Sequence, residues 1–294
     1  MRVFVTGASG HIGSAVVPEL IQAGHEVTGL ARSDASAAAV QAMGADAYRG
    51  DLRDPEGLPA AVAAADAVIH LAFDHATMMA GDFAGAVATD LAVVQALGDA
   101  LAGTGKTFVG IGMTPTGDIG RDAAIEANPR SAVTRAIAGL SDRGVRTILV
   151  AVPPVTHSSR DKIGFVPTLI GIARDQAVSG YVEAGTNHWP AVHTLDLAVL
   201  FRLALDQAPA GSQLFGAAED GIEVREIAAT IGRHLGIPAV SIPADQAADH
   251  FKAFPFITMD VTFPGAVTRE LLGWEPTRPG LIADLDESHY FATD

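Results

Sequence analysis

Residues 2–13 constrain the fold more than any other stretch. Arg2 to Val5 alternates as a short buried strand would, and Thr6-Gly7-Ala8-Ser9-Gly10-His11-Ile12-Gly13 turns it into a helix. That helix, expected over Ser14 to Ala23, carries Val16, Val17, Leu20 and Ile21 on one face. Gly7 permits the tight turn, Gly10 lets backbone amides approach a pyrophosphate closely, and Gly13 lets the helix pack on the strand. Ser9, His11 and Ile12 complete the backbone of this turn, at a helix N-terminus whose partial positive charge suits phosphates. A glycine triplet alone matches many loops. Strand before and helix after supply the context that makes it a dinucleotide cradle.

After Gly24, a strand over His25 to Ala31 completes a β-α-β unit. A reader of NAD usually ends this strand in an acidic side chain that accepts from the adenosine ribose hydroxyls. Here Ala31 is followed by Arg32 and Ser33. A guanidinium fork and a hydroxyl suit a 2′-phosphate, so NADP(H) is the expected cofactor. Further strands are expected at Ala47 to Arg49, Ala67 to Phe73, Thr107 to Ile111 and Thr147 to Val152, with alanine-rich helices between them and a helix over Arg130 to Leu140. The alternation to about residue 155 predicts an α/β fold, a doubly wound parallel sheet of Rossmann type. Beyond it the pattern changes. A helix lies within Asp161 to Tyr181, another over Asp196 to Leu205 packs back on the first domain, and a helix at Arg225 to Leu235 precedes a strand at Ala239 to Ile242. Residues 1–154 with about 189–213 are therefore expected to form the dinucleotide domain, and about 155–188 with 214–294 a smaller C-terminal substrate lobe.

With these pieces placed, the chain resembles the extended branch of the short-chain dehydrogenase/reductase superfamily, of epimerase/dehydratase type. The resemblance rests on the turn at 6–13, on Asp51-Leu52, on His70-Leu71-Ala72, on Pro153-Pro154-Val155, and on Leu272-Gly273-Trp274-Glu275-Pro276 near the end. It implies Asp51 and Leu52 beside adenine, Leu71, Ala72 and Phe73 along the cofactor, and Pro153, Pro154 and Val155 against the nicotinamide. One departure outweighs these matches. The family places a tyrosine and, four residues later, a lysine on the helix after strand five, and no such pair can be formed from Tyr48, Tyr181, Tyr290, Lys106, Lys162 and Lys252. Sliding the helix onto the family pattern brings Glu126 and Arg130 near the vacant positions. Thr114 is the hydroxyl nearest the family's serine or threonine. It either polarises a substrate carbonyl or serves as a cap or turn residue before Pro115.

Histidine is the natural replacement for the missing acid, because its pKa lies near neutrality. His75 lies at the carboxyl end of strand four, where open α/β sheets bind ligands, and His157 closes the nicotinamide-side loop. His188 and His193 flank a Trp-Pro turn, and His193 reads as structural. A lone histidine is more often a hydrogen-bonded structural residue than a catalyst. Phe254, Pro255, Phe256, Ile257 and Met259, with Phe73, Phe165 and Trp189, suggest an apolar lining if they are not simply lobe core.

Composition narrows the rest. With no cysteine, disulfides, thiolate nucleophiles and cysteine metal sites are excluded, and no metal is expected. Asp and Glu number 34 against 19 Lys and Arg, a formal charge of −15 that repels nucleic acid and anionic membranes. No signal peptide and no stretch of roughly 18 apolar residues is read, so a cytoplasmic protein is expected. The partners expected are a small-molecule substrate and, among macromolecules, at most a second copy in a homodimer. Two classes of function stay open: an NADP(H)-dependent reductase of a small, apolar or aromatic carbonyl compound, and a non-catalytic NADP(H)-binding redox sensor. A dehydratase or isomerase is a third variant.

Overall fold

Seven parallel strands make the principal sheet, and the crossing point of its two halves lies between the first and fourth strands. The computed structural model describes residues 1–114, 119–252 and 254–292. In chain order the elements begin β1 Arg2–Thr6, α1 Gly13–Gln22, β2 Glu26–Ala31, α2 Asp34–Ala42, β3 Asp46–Arg49, α3 Leu58–Ala64 and β4 Ala67–His70. They continue α4 His75–Met79, α5 Phe83–Leu101, β5 Thr107–Ile111, α6 Ile119–Ala127, α7 Ser131–Gly139 and β6 Arg146–Ala151. The second half holds β7 Val155–His157, α8 Phe165–Gln176, β8 Ser179–Val182, β9 His188–His193, α9 Thr194–Gln207 and β10 Gln213–Phe215. Last come β11 Glu219–Glu223, α10 Val224–Leu235, β12 Ala239–Ile242, α11 Ala247–His250, α12 Gly265–Leu272 and α13 Leu281–Asp286.

The chain divides into two compact units: Met1–Val152 with Leu197–Phe215 and Val267–Trp274, and Pro153–Asp196 with Gly216–Ala266 and Glu275–Asp294. In the first, the sheet order is β10-β6-β5-β4-β1-β2-β3. It is the doubly wound order with one added edge strand. The central strands β1, β4, β5 and β6 are nearly continuous buried runs, as burial on both faces requires, whereas the edge strand β3 has no buried residue. Phe4, Val68, Phe108 and Leu149 meet Leu58, Val93, Leu97 and Ile137 from the helices in one core cluster. Each such side chain contributes roughly 1.5–3 kcal/mol by leaving water.

Three expectations need correction. β4 stops at His70 rather than Phe73: the Leu71 amide is shared between the Thr6 carbonyl (3.3 Å) and the Thr6 hydroxyl (3.2 Å), and the Ala72 amide donates to that hydroxyl (3.3 Å). The return to the first unit comes at Leu197, not 189, since β9 pairs with β7 and β11 in the second unit. Residues 267–274 rejoin the first unit, where Thr268 Oγ1 accepts from the Phe215 amide at 2.7 Å. Finally, α5 is 19 residues long and, by length and composition, apolar enough to cross a membrane. It is a core helix of the first unit: Ala86, Val93, Val94, Leu97 and Leu101 are buried, and Asp82 caps it at the Gly85 amide.

In the second unit β9 lies between β7, parallel to it, and β11, antiparallel, while β8 and β12 form a separate parallel pair. The helix expected within Asp161 to Tyr181 is α8. Asp161 accepts from the Gly164 amide at 2.8 Å just before its start, and Ala177 ends it at φ 55°. Trp189 and Ile257 are buried in this unit's core and Phe165, Phe254 and Met259 pack against it, so most of the suggested apolar lining is packing. Pro255 and Phe256 are exposed, and Phe256 stacks on Phe165 with ring centroids 5.0 Å apart.

Candidate functional site

The glycine turn is built so that backbone alone lines it. Gly7 has φ +69°, and a Cβ there would stand 2.8 Å from the Ala72 nitrogen. A Cβ on Gly13 would stand 2.1 Å from the Gly7 carbonyl oxygen, so these two glycines hold the turn against β4 and α1. Gly10 differs: its amide donates to Gly7 O at 2.9 Å, and an added Cβ would meet only that oxygen, at 3.2 Å. Ser9 and Gly10 are exposed while His11 and Ile12 are half-buried. α1 has neither a capping side chain nor an acidic residue in its first turn, which leaves its positive end open. A pyrophosphate fits this cradle.

Beyond the end of β2, Arg32 is exposed, and its guanidinium has no hydrogen bond or ion pair among the described residues. Its charge adds to the stronger effect of Arg53 in holding the Asp51 carboxyl below the usual carboxylate range. Asp51 accepts from Arg53 Nη2 at 2.9 Å, and Arg49 pairs with Asp34 at 2.7 Å. Ser33 has a second task, since its hydroxyl accepts from the Ser36 amide and caps α2. Leu52 packs against the core of this unit.

At the sheet crossing, Thr6 and His70 are register partners of β1 and β4. Thr6 Oγ1 lies 2.7 Å from His70 Nδ1, His70 Nε2 lies 2.8 Å from Asp90 Oδ1, and Asp90 Oδ2 lies 3.6 Å from Arg130 Nη2. The Thr6 oxygen already accepts two amides, so its proton goes to Nδ1, which leaves Nε2–H to donate to Asp90. The network thereby assigns a neutral imidazole. Sequence reading missed Asp90, whose signal is a lone carboxylate in the apolar middle of a helix. Arg130 lies 4.5 Å over the Phe73 ring, and burial lowers its pKa although Asp90 opposes the shift. His75 packs edge-on against the Phe73 ring itself, 5.3 Å between centroids. Its pKa falls through loss of water first and the charge of Arg130 after.

The model of the NAD-dependent epimerase/dehydratase family matches residues 3–111. An uncharacterised protein of Schizosaccharomyces pombe is 38% identical over 99% of this chain and 100% of its own. The chain belongs to the NAD-dependent epimerase/dehydratase family. A ketoreductase of Stigmatella aurantiaca, acting on a 4-hydroxy-2-methyl-3-oxo-4-farnesyl-3,4-dihydroquinoline-1-oxide, is 26% identical over 85% of this chain and 79% of its own. The dTDP-glucose 4,6-dehydratase of Streptomyces venezuelae, solved with NAD bound, superimposes with a TM-score of 0.75 at 19% identity, over 99% of this chain and 98% of that one.

Each tyrosine of this family member is occupied away from the end of β5. Tyr48 donates to Gly57 O at 2.7 Å, Tyr181 belongs to β8, and Tyr290 donates to Asp161 at 3.3 Å. Lys106 holds carbonyls of α3 and Lys252 pairs with Asp175. Glu126 is tied to Arg135 at the surface. Thr114, after β5, is buried, and its hydroxyl has no partner among the described residues. The Pro115 that would follow it as a turn residue lies outside the described residues.

His157 is wholly buried in the second unit, bound to Asp284 at 2.8 Å, with the His193 ring edge-on at 5.5 Å. Its Nε2 is enclosed and has no hydrogen-bond partner among the described residues. Burial, and then His157, lower the pKa of His193. Pro153 and Val155 are buried and Pro154 half-buried where β7 begins. Asp284, Glu287 and His289 bring three potential ligand atoms within 4.8 Å of one another.

Proposed function

We propose that the chain is an NADP(H)-dependent oxidoreductase that reduces a small carbonyl compound. Arg32 carries this reading. Where a family member selecting NAD would present a carboxylate to the ribose, this chain presents an exposed, uncommitted guanidinium matched to a 2′-phosphate. Gly7, Gly10 and Gly13 would hold the pyrophosphate, and Leu71, Ala72 and Phe73 would line the path of the cofactor. The nicotinamide, when bound, supplies hydride chemistry, and the protein contributes placement and electrostatics. Thr114, with a buried hydroxyl lacking a partner among the described residues, is suited to donate to a carbonyl oxygen. The ketoreductase relative supports the reaction type.

The absence of a tyrosine from the end of β5 favours a second reading, a protein that binds NADP(H) and senses its redox state. Two measurements separate the readings. Calorimetry should give saturable binding of NADPH tighter than NADH, and a panel of ketones and aldehydes should consume reduced cofactor. Binding without consumption across the panel would select the sensor, and no binding of either cofactor would remove both.

A further inference from the structure

Arg130 stands out among the charged groups of the first unit. Its side chain keeps 30% of its surface in contact with solvent, and its one charged partner among the described residues, Asp90, sits at 3.6 Å, beyond good hydrogen-bond length. A guanidinium offers five N–H donors in a fixed plane, and a purely structural arginine in such a place would have them taken up. Here they lie over the Phe73 ring with most of the fork uncommitted.

Thr114 belongs to the same corner. The Met113 amide donates to Thr134 Oγ1 at 2.9 Å, and the Thr134 amide donates to the Arg130 carbonyl at 3.2 Å. The end of β5 is thus fastened to the first turn of α7, which Arg130 precedes. A buried hydroxyl without a partner among the described residues and a half-buried guanidinium held by Asp90 and the Phe73 ring flank one junction.

We propose that Arg130 and Thr114 together receive the carbonyl oxygen of the substrate, and that the site takes neutral ketones or aldehydes in preference to oxo-acids. The inference rests on the reductase reading. Its charge argument is simple. Asp90 already balances Arg130, so a neutral carbonyl adds hydrogen bonds without adding net charge, whereas a carboxylate would leave an uncompensated anion beside a half-buried pair. Asp90 is a positioning residue: it touches the guanidinium and is itself fixed by His70 and, through it, by Thr6. A fixed cation meets the negative charge that grows on the oxygen, the service a phenol would otherwise perform, and water then provides the proton.

The test uses benzamide, whose carbonyl cannot be reduced easily, and benzoate as its charged counterpart. Both are titrated calorimetrically into the full chain with and without NADPH. Benzamide should saturate the wild type and bind at least about 10-fold more weakly to Arg130→Met, the scale of one lost charge-assisted hydrogen bond. Arg130→Lys should fall between, because it keeps the charge and loses the planar fork. Asp90→Asn should reverse the order, favouring benzoate, a change in selectivity that mere loosening of the fold would not produce. Benzamide binding equal in wild type and both Arg130 variants, or no saturation in wild type, would overturn the proposal. Failure of NADPH to bind in the same preparations would instead strike the reductase reading.

Discussion

His70 Nε2 lies 2.8 Å from Asp90 Oδ1, a buried hydrogen bond that ties the end of β4 to the middle of α5. Both side chains are at most 4% exposed, so removing one strands the other. Asp90→Ala leaves the imidazole N–H and the Arg130 charge uncompensated and should cost about 3–5 kcal/mol of unfolding free energy. Asp90→Asn can still accept from His70 and should cost less, about 1–3 kcal/mol. Urea denaturation followed by circular dichroism gives both numbers, and equal losses would mean that the charge is irrelevant.

The two glycines of the opening turn should respond differently to one methyl group. In Gly13→Ala the Cβ would lie 2.1 Å from the Gly7 oxygen, so the turn itself must break and the melting temperature should fall sharply. In Gly10→Ala the same oxygen stands at 3.2 Å and needs to give only a few tenths of an ångström. That variant should keep nearly its full thermal stability and lose at least about 10-fold in NADPH affinity, since the methyl would intrude on the phosphate path. Undiminished affinity would take the pyrophosphate out of this turn.

How much of this could be seen in the sequence follows from the range of the interactions. The turn, the parallel strands and the family are written in local spacing, so β5 at Thr107–Ile111 and β12 at Ala239–Ile242 fall where the pattern placed them. Charge partners are not local. Nothing near His70 announces Asp90, 20 residues on, and nothing near His157 announces Asp284, 127 residues away. The same holds for aromatic residues: an apolar run reads alike whether it lines a cleft or fills a core, and Trp189 and Phe251 fill the core. Beyond the strand end at His70, the next two amides donate to a threonine hydroxyl of another strand.

Cofactor choice can be turned at one position. Arg32 is exposed, so replacing it should leave the fold intact. Arg32→Asp should lower affinity for NADPH at least about 10-fold and raise that for NADH, because a carboxylate repels the 2′-phosphate and accepts from free ribose hydroxyls. Thermal shifts at matched concentrations report both, since the stabilisation by a ligand grows with its concentration over Kd. Identical NADPH shifts in variant and wild type would release Arg32 from this role.

Asp161 should make the second unit lose stability as pH rises. Its carboxylate is 4% exposed. Burial pushes its pKa above the ordinary 3.8, against the opposing hydrogen bonds from the Gly164 amide and the Tyr290 hydroxyl. An acid with a raised folded pKa holds its proton more tightly in the native state. The stability it contributes is therefore complete below pH 3.8 and is lost as pH climbs through the folded value. Acids held low by partners, such as Asp66 beside Arg2, pushed down to about 2, contribute with the opposite sign. Comparing wild type with Asp161→Asn cancels those contributions. Like the protonated carboxyl, the amide carries an accepting carbonyl oxygen beside a donor group, here an NH2 with two N–H bonds, and it never ionises. Thermal melts between about pH 4 and pH 7 should show the variant gaining on wild type as pH increases, whereas parallel curves would mean that Asp161 ionises in the fold as readily as in the unfolded chain.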